Sequence, residues 1–161
     1  MENQISKLID DILEREKGYV NHKDDKGGRT NFGIAERSHP AAWADGSVTE
    51  DEARSIYLHK YVIGPKFNQI KDPALMAQLV DFGVNSGPSI AIQKLQGILN
   101  VKVDGILGQD TLAALNTQDV RTINNRLVAE RVKMIGRICV KNPSQLAFIN
   151  GWLNRALEFL V

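Results

Sequence analysis

The sequence predicts a mainly α-helical protein with two lobes and one small β-ribbon. Three observations support this. Apolar residues recur at helical spacing over most of the 161 positions. Helix start and stop signals bracket those stretches. Only residues 19–35 break the helical pattern with alternation and a glycine-rich turn. Hydrophobic residues make up 43% of the chain, enough for a packed core.

The elements follow in order. Ile5, Leu8, Ile9, Ile12 and Leu13 place one apolar face on a helix over 3–15. Gly18 ends it, which leaves Glu16 at or near the helix C-terminus. Tyr19 and Val20 read as a short extended pair. Residues 21–28 form a polar turn centred on Asp24-Asp25-Lys26-Gly27-Gly28. Thr30, Phe32 and Ile34 then alternate on the returning arm of the ribbon. Ser38-His39-Pro40 is a break. Thr49 and Glu52 form a capping-box pattern that opens a helix through Tyr61, which Gly64-Pro65 stops. Asp72 caps another helix with Pro73 in its first turn. Further helices are expected over 88–98, 109–116, 119–140 and 143–159, with a glycine-rich loop at 104–108. The boundary between lobes is set at 80/81.

Charge and cysteine content narrow the function classes. Residues 1–80 carry 11 Lys/Arg and 13 Asp/Glu, a net −2. Residues 81–161 carry 9 and 6, a net +3. That asymmetry suits approach to a polyanionic surface but is too sparse for a nucleic-acid stripe. The one cysteine, Cys139, cannot form an internal disulfide and reads as a buried thiol. The first 18 residues lack the layout of a secretory signal, and no stretch has the length of a membrane span. Synthesis in the cytoplasm, with action on an extracytoplasmic target after release, is the expectation. His22, His39 and His59 show no metal-ligand spacing, so neither metal nor other cofactor is expected.

Three residues stand out as candidates for chemistry: Glu16, Asp25 and Thr30, separated by nine and five positions. A helix end, a turn and a returning strand can fold around one cleft. Breaking a glycosidic bond needs a carboxylic acid to protonate the leaving oxygen, and a second carboxylate to direct water or stabilise the developing positive charge. In inverting enzymes the two stand about 6.5–9.5 Å apart. An apolar helix before Glu16 and the negative helix end both favour its protonated form, whereas Lys17 opposes it. Asp25, in a polar turn with Lys23, Lys26 and Arg29 close in sequence, suits the ionised role. Thr30 can hold the water. Helix ends and turns also carry acidic residues for purely structural reasons, so spacing alone leaves both readings open.

The stretches Glu16-Lys17-Gly18-Tyr19-Val20-Asn21 and Asp25-Lys26-Gly27-Gly28-Arg29-Thr30-Asn31-Phe32-Gly33-Ile34 resemble the N-terminal signature of glycoside hydrolase family 108, the N-acetylmuramidases found in many phage endolysins. The order Glu, Asp, Thr is also similar to the small phage lysozymes, an inverting group. The resemblance implies a lysozyme-like fold, with Glu16 as catalytic acid and Asp25 and Thr30 as its partners. Lys17, His22, Lys23, Lys26 and Ala35 depart from the usual pattern, though none removes a proposed catalytic atom. The second half resembles the peptidoglycan-binding region attached to that family, through Asp81-Phe82-Gly83-Val84-Asn85, Gly87-Pro88, Gln93-Lys94-Leu95-Gln96, Val103-Asp104-Gly105 and Gly151-Trp152-Leu153-Asn154-Arg155.

Substrate contacts are expected from Tyr19, His22, Phe32, Asp81, Asn85 and Gln93. Asp81 and Asn85, four apart on one helical face, would line the cleft opposite Glu16. Gln96 is a further candidate for sugar amides. The expected activity is hydrolysis, with inversion, of the β-1,4 bond between N-acetylmuramic acid and N-acetylglucosamine. The expected partner is bacterial peptidoglycan, reached by holin-assisted release, and the expected state is a monomer that binds no nucleic acid and inserts in no membrane. Two other readings use the same residues: a lytic transglycosylase that also employs Glu16, and a non-catalytic wall-binding protein. A nucleic-acid binder using Arg121, Arg126, Arg131, Lys133 and Arg137 is the poorest, since these read as the solvent face of the long helix.

Overall fold

The computed structural model describes residues 2–16, 18–19 and 28–161. The fold is mainly α-helical with one two-stranded ribbon, as the periodicity predicts. The chain divides into two compact units, Met1–Gly64 and Pro65–Val161.

In the first unit, α1 spans Glu2–Glu16. It buries Ile9, Ile12 and Leu13, the inner part of the predicted apolar face. Helix α2 spans Glu50–Leu58 and packs against α1. Thr49 and Glu52 form the expected capping box, with the Glu52 amide donating to Thr49 Oγ1 and the Thr49 amide to Glu52 Oε2. An Arg54–Asp10 ion pair joins the two helices at their exposed edge. Instead of running on to Tyr61 as a regular α-helix, α2 widens into a π-turn over His59–Ile63. The Gly64 amide donates to the His59 carbonyl at 2.8 Å and closes the wider loop. A Cβ at Gly64 would stand 2.8 Å from that same oxygen, so glycine permits the closure.

The ribbon is shorter than the alternation suggests. Strand β1 is Thr30–Asn31 and β2 is Ile34–Ala35, antiparallel, with Thr30 opposite Ala35 and Asn31 opposite Ile34. Phe32 is therefore a turn residue, not a strand residue. Phe32 and Gly33 take φ of 49° and 73°, the paired left-handed conformation of a two-residue hairpin whose twist matches its strands. The expected extended Val20 and most of the polar turn, residues 21–27, lie outside the described residues.

The second unit is a helical cluster. Helix α3 spans Pro73–Ser86, α4 Pro88–Leu99, α5 Gln109–Asn116, α6 Val120–Lys141 and α7 Ile149–Leu157. Asp72 caps α3, its side chain accepting from the Leu75 amide at 2.8 Å, with Pro73 in the first turn. Phe67, Leu75, Leu79, Phe82, Leu95 and Leu127 are fully buried. Cys139 is buried with Ile135 and Ala156, and Trp152 packs against that cluster from α7. The helix expected from residue 143 begins as a tighter 3-10 coil over Pro143–Phe148, opened by Asn142, whose side chain binds Ser144. Among the described residues, no helix is long and apolar enough to cross a membrane.

Candidate active site

Glu16 is the last residue of α1, half-buried, and Gly18 takes a φ of 128° just beyond it. The carboxylate lies against the tip of the ribbon. A Cβ built on Gly33 would stand 3.2 Å from Glu16 Cβ, 3.3 Å from Glu16 Oε2 and 2.5 Å from the Tyr57 hydroxyl. Only a residue without a side chain lets the turn come this close to the helix end, and the positive φ asks for glycine independently.

Four fasteners hold the ribbon in place. The Tyr57 hydroxyl, reaching up from α2, donates to the Phe32 carbonyl at 3.0 Å. Trp43 Nε1 donates to the Ile34 carbonyl at 3.2 Å, and Asn31 Nδ2 to the Val48 carbonyl at 3.0 Å. At the open end, Arg29 grips Glu36 with two hydrogen bonds of 2.9 and 2.7 Å, and the Glu36 amide donates to the Arg29 carbonyl at 2.8 Å. That pairing raises the Arg29 pKa and lowers that of Glu36. Arg29 also lies over the Trp43 ring, 4.8 Å from its centroid. Thr30 thus sits on a short strand pinned from both ends, in the same ribbon whose tip meets Glu16. A site that must hold two groups to within fractions of an ångström needs supporting contacts of this kind.

The predicted contact residues fare differently. Tyr19 is largely exposed, with its ring 6.5 Å from that of Trp43. Phe32 is half-buried at the hairpin tip. Asp25 and His22 lie outside the described residues, as does Lys17. Tyr57, Trp43, Asn31 and Arg29 were not singled out as positioning residues by sequence. Tyr57 and Trp43 belong to no motif, Arg29 and Asn31 lie within the signature stretch without an assigned role, and each acts through a partner 7 to 25 positions away.

In the second unit, Asp81 is 2% exposed. Its Oδ2 accepts from Arg131 Nη2 at 2.8 Å and its Oδ1 from Arg155 Nε at 2.9 Å, tying α3 to α6 and α7. Arg131, expected on the solvent face of the long helix, is instead 4% exposed and lies over the rings of Phe82 and Phe159, 4.9 and 5.5 Å from their centroids. Desolvation lowers its pKa. Asp81 is thus committed to guanidinium groups inside this unit. Asn85 is exposed, and its Nδ2 donates back to the Asp81 carbonyl at 2.7 Å. Gln93 is exposed on α4. Gln96 is not available to a sugar: it is 1% exposed, with its Nε2 donating to Asp104 Oδ1, the Ile106 carbonyl and Thr111 Oγ1, and its Oε1 accepting from the amides of Asp104 and Gly105. This clamp fixes the 100–108 loop and holds the Asp104 carboxylate below its usual range. Among the described residues, no group of three or more His, Cys, Asp or Glu side chains is placed to hold a metal ion.

Residues 9–87 match the family described as Glycosyl hydrolase 108, and residues 88–157 match the family described as Predicted Peptidoglycan domain. The chain thus carries a glycosyl hydrolase 108 domain followed by a peptidoglycan-binding domain. The structure of Brucella abortus SagA is similar to this protein over 99% of this chain and 97% of the SagA chain, at 26% identity and a TM-score of 0.75. No curated protein gives a significant match. The glycosyl hydrolase 108 match runs through the whole ribbon and ends just after α3, and the peptidoglycan match covers α4 to α7. Together they make the chain an enzyme of glycosidase type, a muramidase-like peptidoglycan hydrolase with an associated peptidoglycan-binding region.

Proposed function

We propose that the glycosyl hydrolase 108 protein cleaves the β-1,4 bond between N-acetylmuramic acid and N-acetylglucosamine by a single displacement. In this reading Glu16 protonates the departing oxygen. Asp25, with the Thr30 hydroxyl, directs water onto the opposite face of the sugar, and the anomeric configuration inverts. The observation that carries the reading is the contact between the Glu16 carboxylate and the tip of the ribbon, in a family of glycosyl hydrolases. An acid at a helix end, half-buried and held against a rigid turn, has the fixed position that proton donation requires. Tyr19, His22 and Phe32, close in sequence to these groups, are the proposed sugar contacts on this unit. Asn85 and Gln93 keep exposed side chains and stay as proposed contacts of the second unit. A role for Asp81 at the substrate has to operate through its two arginine partners.

Digestion of purified peptidoglycan with mass analysis of the fragments tests this. Wild type is expected to release reducing N-acetylmuramic ends. Glu16→Gln is expected to lose about 10²–10⁴-fold in rate while remaining folded. Anhydromuramic ends would establish a lytic transglycosylase instead, and full activity in a folded Glu16→Gln protein would remove Glu16 from the mechanism. Release from the cytoplasm through a holin pore, and action as a monomer on the wall, complete the proposal on the strength of the endolysin resemblance. Lysis on co-expression with a holin, and none without it, is the expected result.

A further inference from the structure

Within the second unit an open groove of about 410 Å³ lies between α4 and α6. Helix α6 lines it with Arg126, Ala129, Glu130 and Lys133, which the helical repeat places on one face. Helix α4 faces it with Gln93, Lys94 and Gly97. A Cβ built on Gly97 meets no atom within 4 Å, and the residue does not take a positive φ. Neither close packing nor backbone shape asks for glycine here, and glycine inside a helix weakens it. What its missing side chain leaves is space in the groove. Val103, 56% exposed on the 100–108 loop, completes the lining. The buried Gln96 fixes that loop, bonding it from both the oxygen and the nitrogen of its amide. Two stretches that resemble the peptidoglycan-binding region, Gln93-Lys94-Leu95-Gln96 and Val103-Asp104-Gly105, thus meet at one groove.

Charge narrows the occupant. Glu130 stands between two ammonium groups, 3.7 Å from Lys94 Nζ and 2.9 Å from Lys133 Nζ, and its single charge offsets only one of them. The guanidinium of Arg126, exposed on the same face, makes no ion pair or hydrogen bond among the described residues. The groove therefore carries three cations against one anion. Beside Val103, Lys102 pairs with Asp104 at 3.6 Å and adds no net charge. An anionic ligand is favoured on this balance. No aromatic ring lines the groove for a pyranose to stack on, and the N-acetylglucosamine of a glycan strand is uncharged. The short stem peptides of peptidoglycan are extended, carry free carboxylates and bear small side chains. We propose that this groove is where the second unit takes the stem peptide. Its carboxylates pair with Arg126 and Lys133, its small side chains lie over Gly97 and Ala129, and the Gln93 amide bonds to its backbone. The inference rests on the reading of the substrate as peptidoglycan, and adds which part of it this unit holds.

The test titrates the wild-type full chain with N-acetyl-L-alanyl-γ-D-glutamyl-L-lysyl-D-alanine. This probe has no glycosidic bond, so turnover plays no part. Binding is read from the Gly97 amide and from the methyl resonances of Ile98, Val103 and Ala129. The free acid is expected to shift these resonances with millimolar affinity that weakens as salt is raised. The same peptide with both carboxylates amidated is expected to bind about tenfold more weakly or worse, because it loses its charge-assisted hydrogen bonds. Arg126→Glu is expected to cost about as much. Gly97→Leu puts a helix-favouring side chain into the empty space, and is expected to abolish binding while the melting temperature holds or rises. Equal affinity for acid and diamide, full binding in a folded Gly97→Leu protein, shifts confined to other residues, or no binding would each overturn the proposal. Equal affinity for oligomeric glycerol phosphate or for duplex DNA would also overturn it, since the groove would then be a general polyanion surface. If Gly97→Leu does not fold, the resonance map and Arg126→Glu decide. Peptide binding by a protein whose wild type releases no glycan fragments would spare this groove and sink the muramidase reading. Fragment release without peptide binding would do the reverse.

Discussion

Gly33→Ala adds a single methyl group at the most confined point of the candidate site. The new Cβ would stand 2.5 Å from the Tyr57 hydroxyl, inside the limit of real contacts, and 3.2–3.3 Å from Glu16 Cβ and Oε2. Alanine at φ 73° costs about 1–2 kcal/mol in backbone strain. Relieving the clash adds about 1–3 kcal/mol, the usual range for overpacking. If the turn moves off Tyr57, the Tyr57–Phe32 hydrogen bond is lost as well, at about 0.5–1.5 kcal/mol. The expected destabilisation by urea unfolding is thus about 2–5 kcal/mol with that hydrogen bond kept and about 2.5–6.5 kcal/mol with it lost. A displacement of roughly 1 Å between ribbon and acid would lower turnover about 10²-fold. Tyr57→Phe removes the closest obstructing atom and should recover part of the loss in the double variant, leaving the backbone term and the Glu16 contact. The assay is release of reducing ends from peptidoglycan, alongside a double-mutant cycle on stability. Wild-type turnover in Gly33→Ala, or strict additivity of the two changes, would refute the idea that this glycine sets the distance between turn and acid.

Other predictions follow from the same structure. Asp81→Asn leaves the buried Arg131 and the part-buried Arg155 without this carboxylate, at an expected cost of about 3–5 kcal/mol in denaturant unfolding. Well below its midpoint it should keep a near-normal KM, whereas a direct substrate contact would raise KM in the folded protein. Gly105→Ala places a Cβ 2.2 Å from Ser89 Oγ at φ 76° and should lower the melting temperature by several degrees without changing turnover by more than about twofold. Asp104 has its folded pKa depressed by Gln96 and the Ile106 amide. Its contribution to stability is present above the ordinary carboxylate pKa and is lost as pH falls through the folded value, so Asp104→Asn should flatten the acid limb of the melting curve. Asp25→Ala should fold normally and turn over far more slowly, as read by fragment release, and a wild-type rate would pass the water-directing role to another group.

The helices were legible because their signals are local. Thr49 and Glu52 lie three apart, and so do Asp72 and Leu75, and their caps form as the pattern predicts. Where a distant residue decides, the pattern misled. Arg131 reads as one more cation on an exposed helix face, because nothing near it in sequence shows that Asp81, 50 positions earlier, will draw it inward. Asp81 and Asn85 share a helical face as expected, but the arginines of α6 and α7 claim the first, and only the second stays exposed. Phe32 satisfies the alternation of a strand, yet its neighbour Gly33 permits a two-residue turn, and the turn prevails.

The same distinction bears on how the site works. Glu16 was visible as an acid at a helix end, and Thr30 as a polar residue on a returning arm. Neither property gives them a fixed separation. In the first unit that constraint comes from Tyr57, Trp43, Asn31 and Arg29, which hold the ribbon through two side-chain hydrogen bonds to its backbone, one from its backbone-flanking asparagine, and one arginine–glutamate fork. None of the four has to touch a sugar to affect turnover. Loosening any one leaves the acid chemically intact but lets the ribbon drift, so catalysis should decline through kcat before binding is impaired. Removing Glu16 itself is expected to abolish the proposed proton transfer with the ribbon still in place. A site whose acid is supplied by one helix and whose spacing is supplied in part by Tyr57 and Trp43, outside the motif, can therefore keep its signature and still lose its activity.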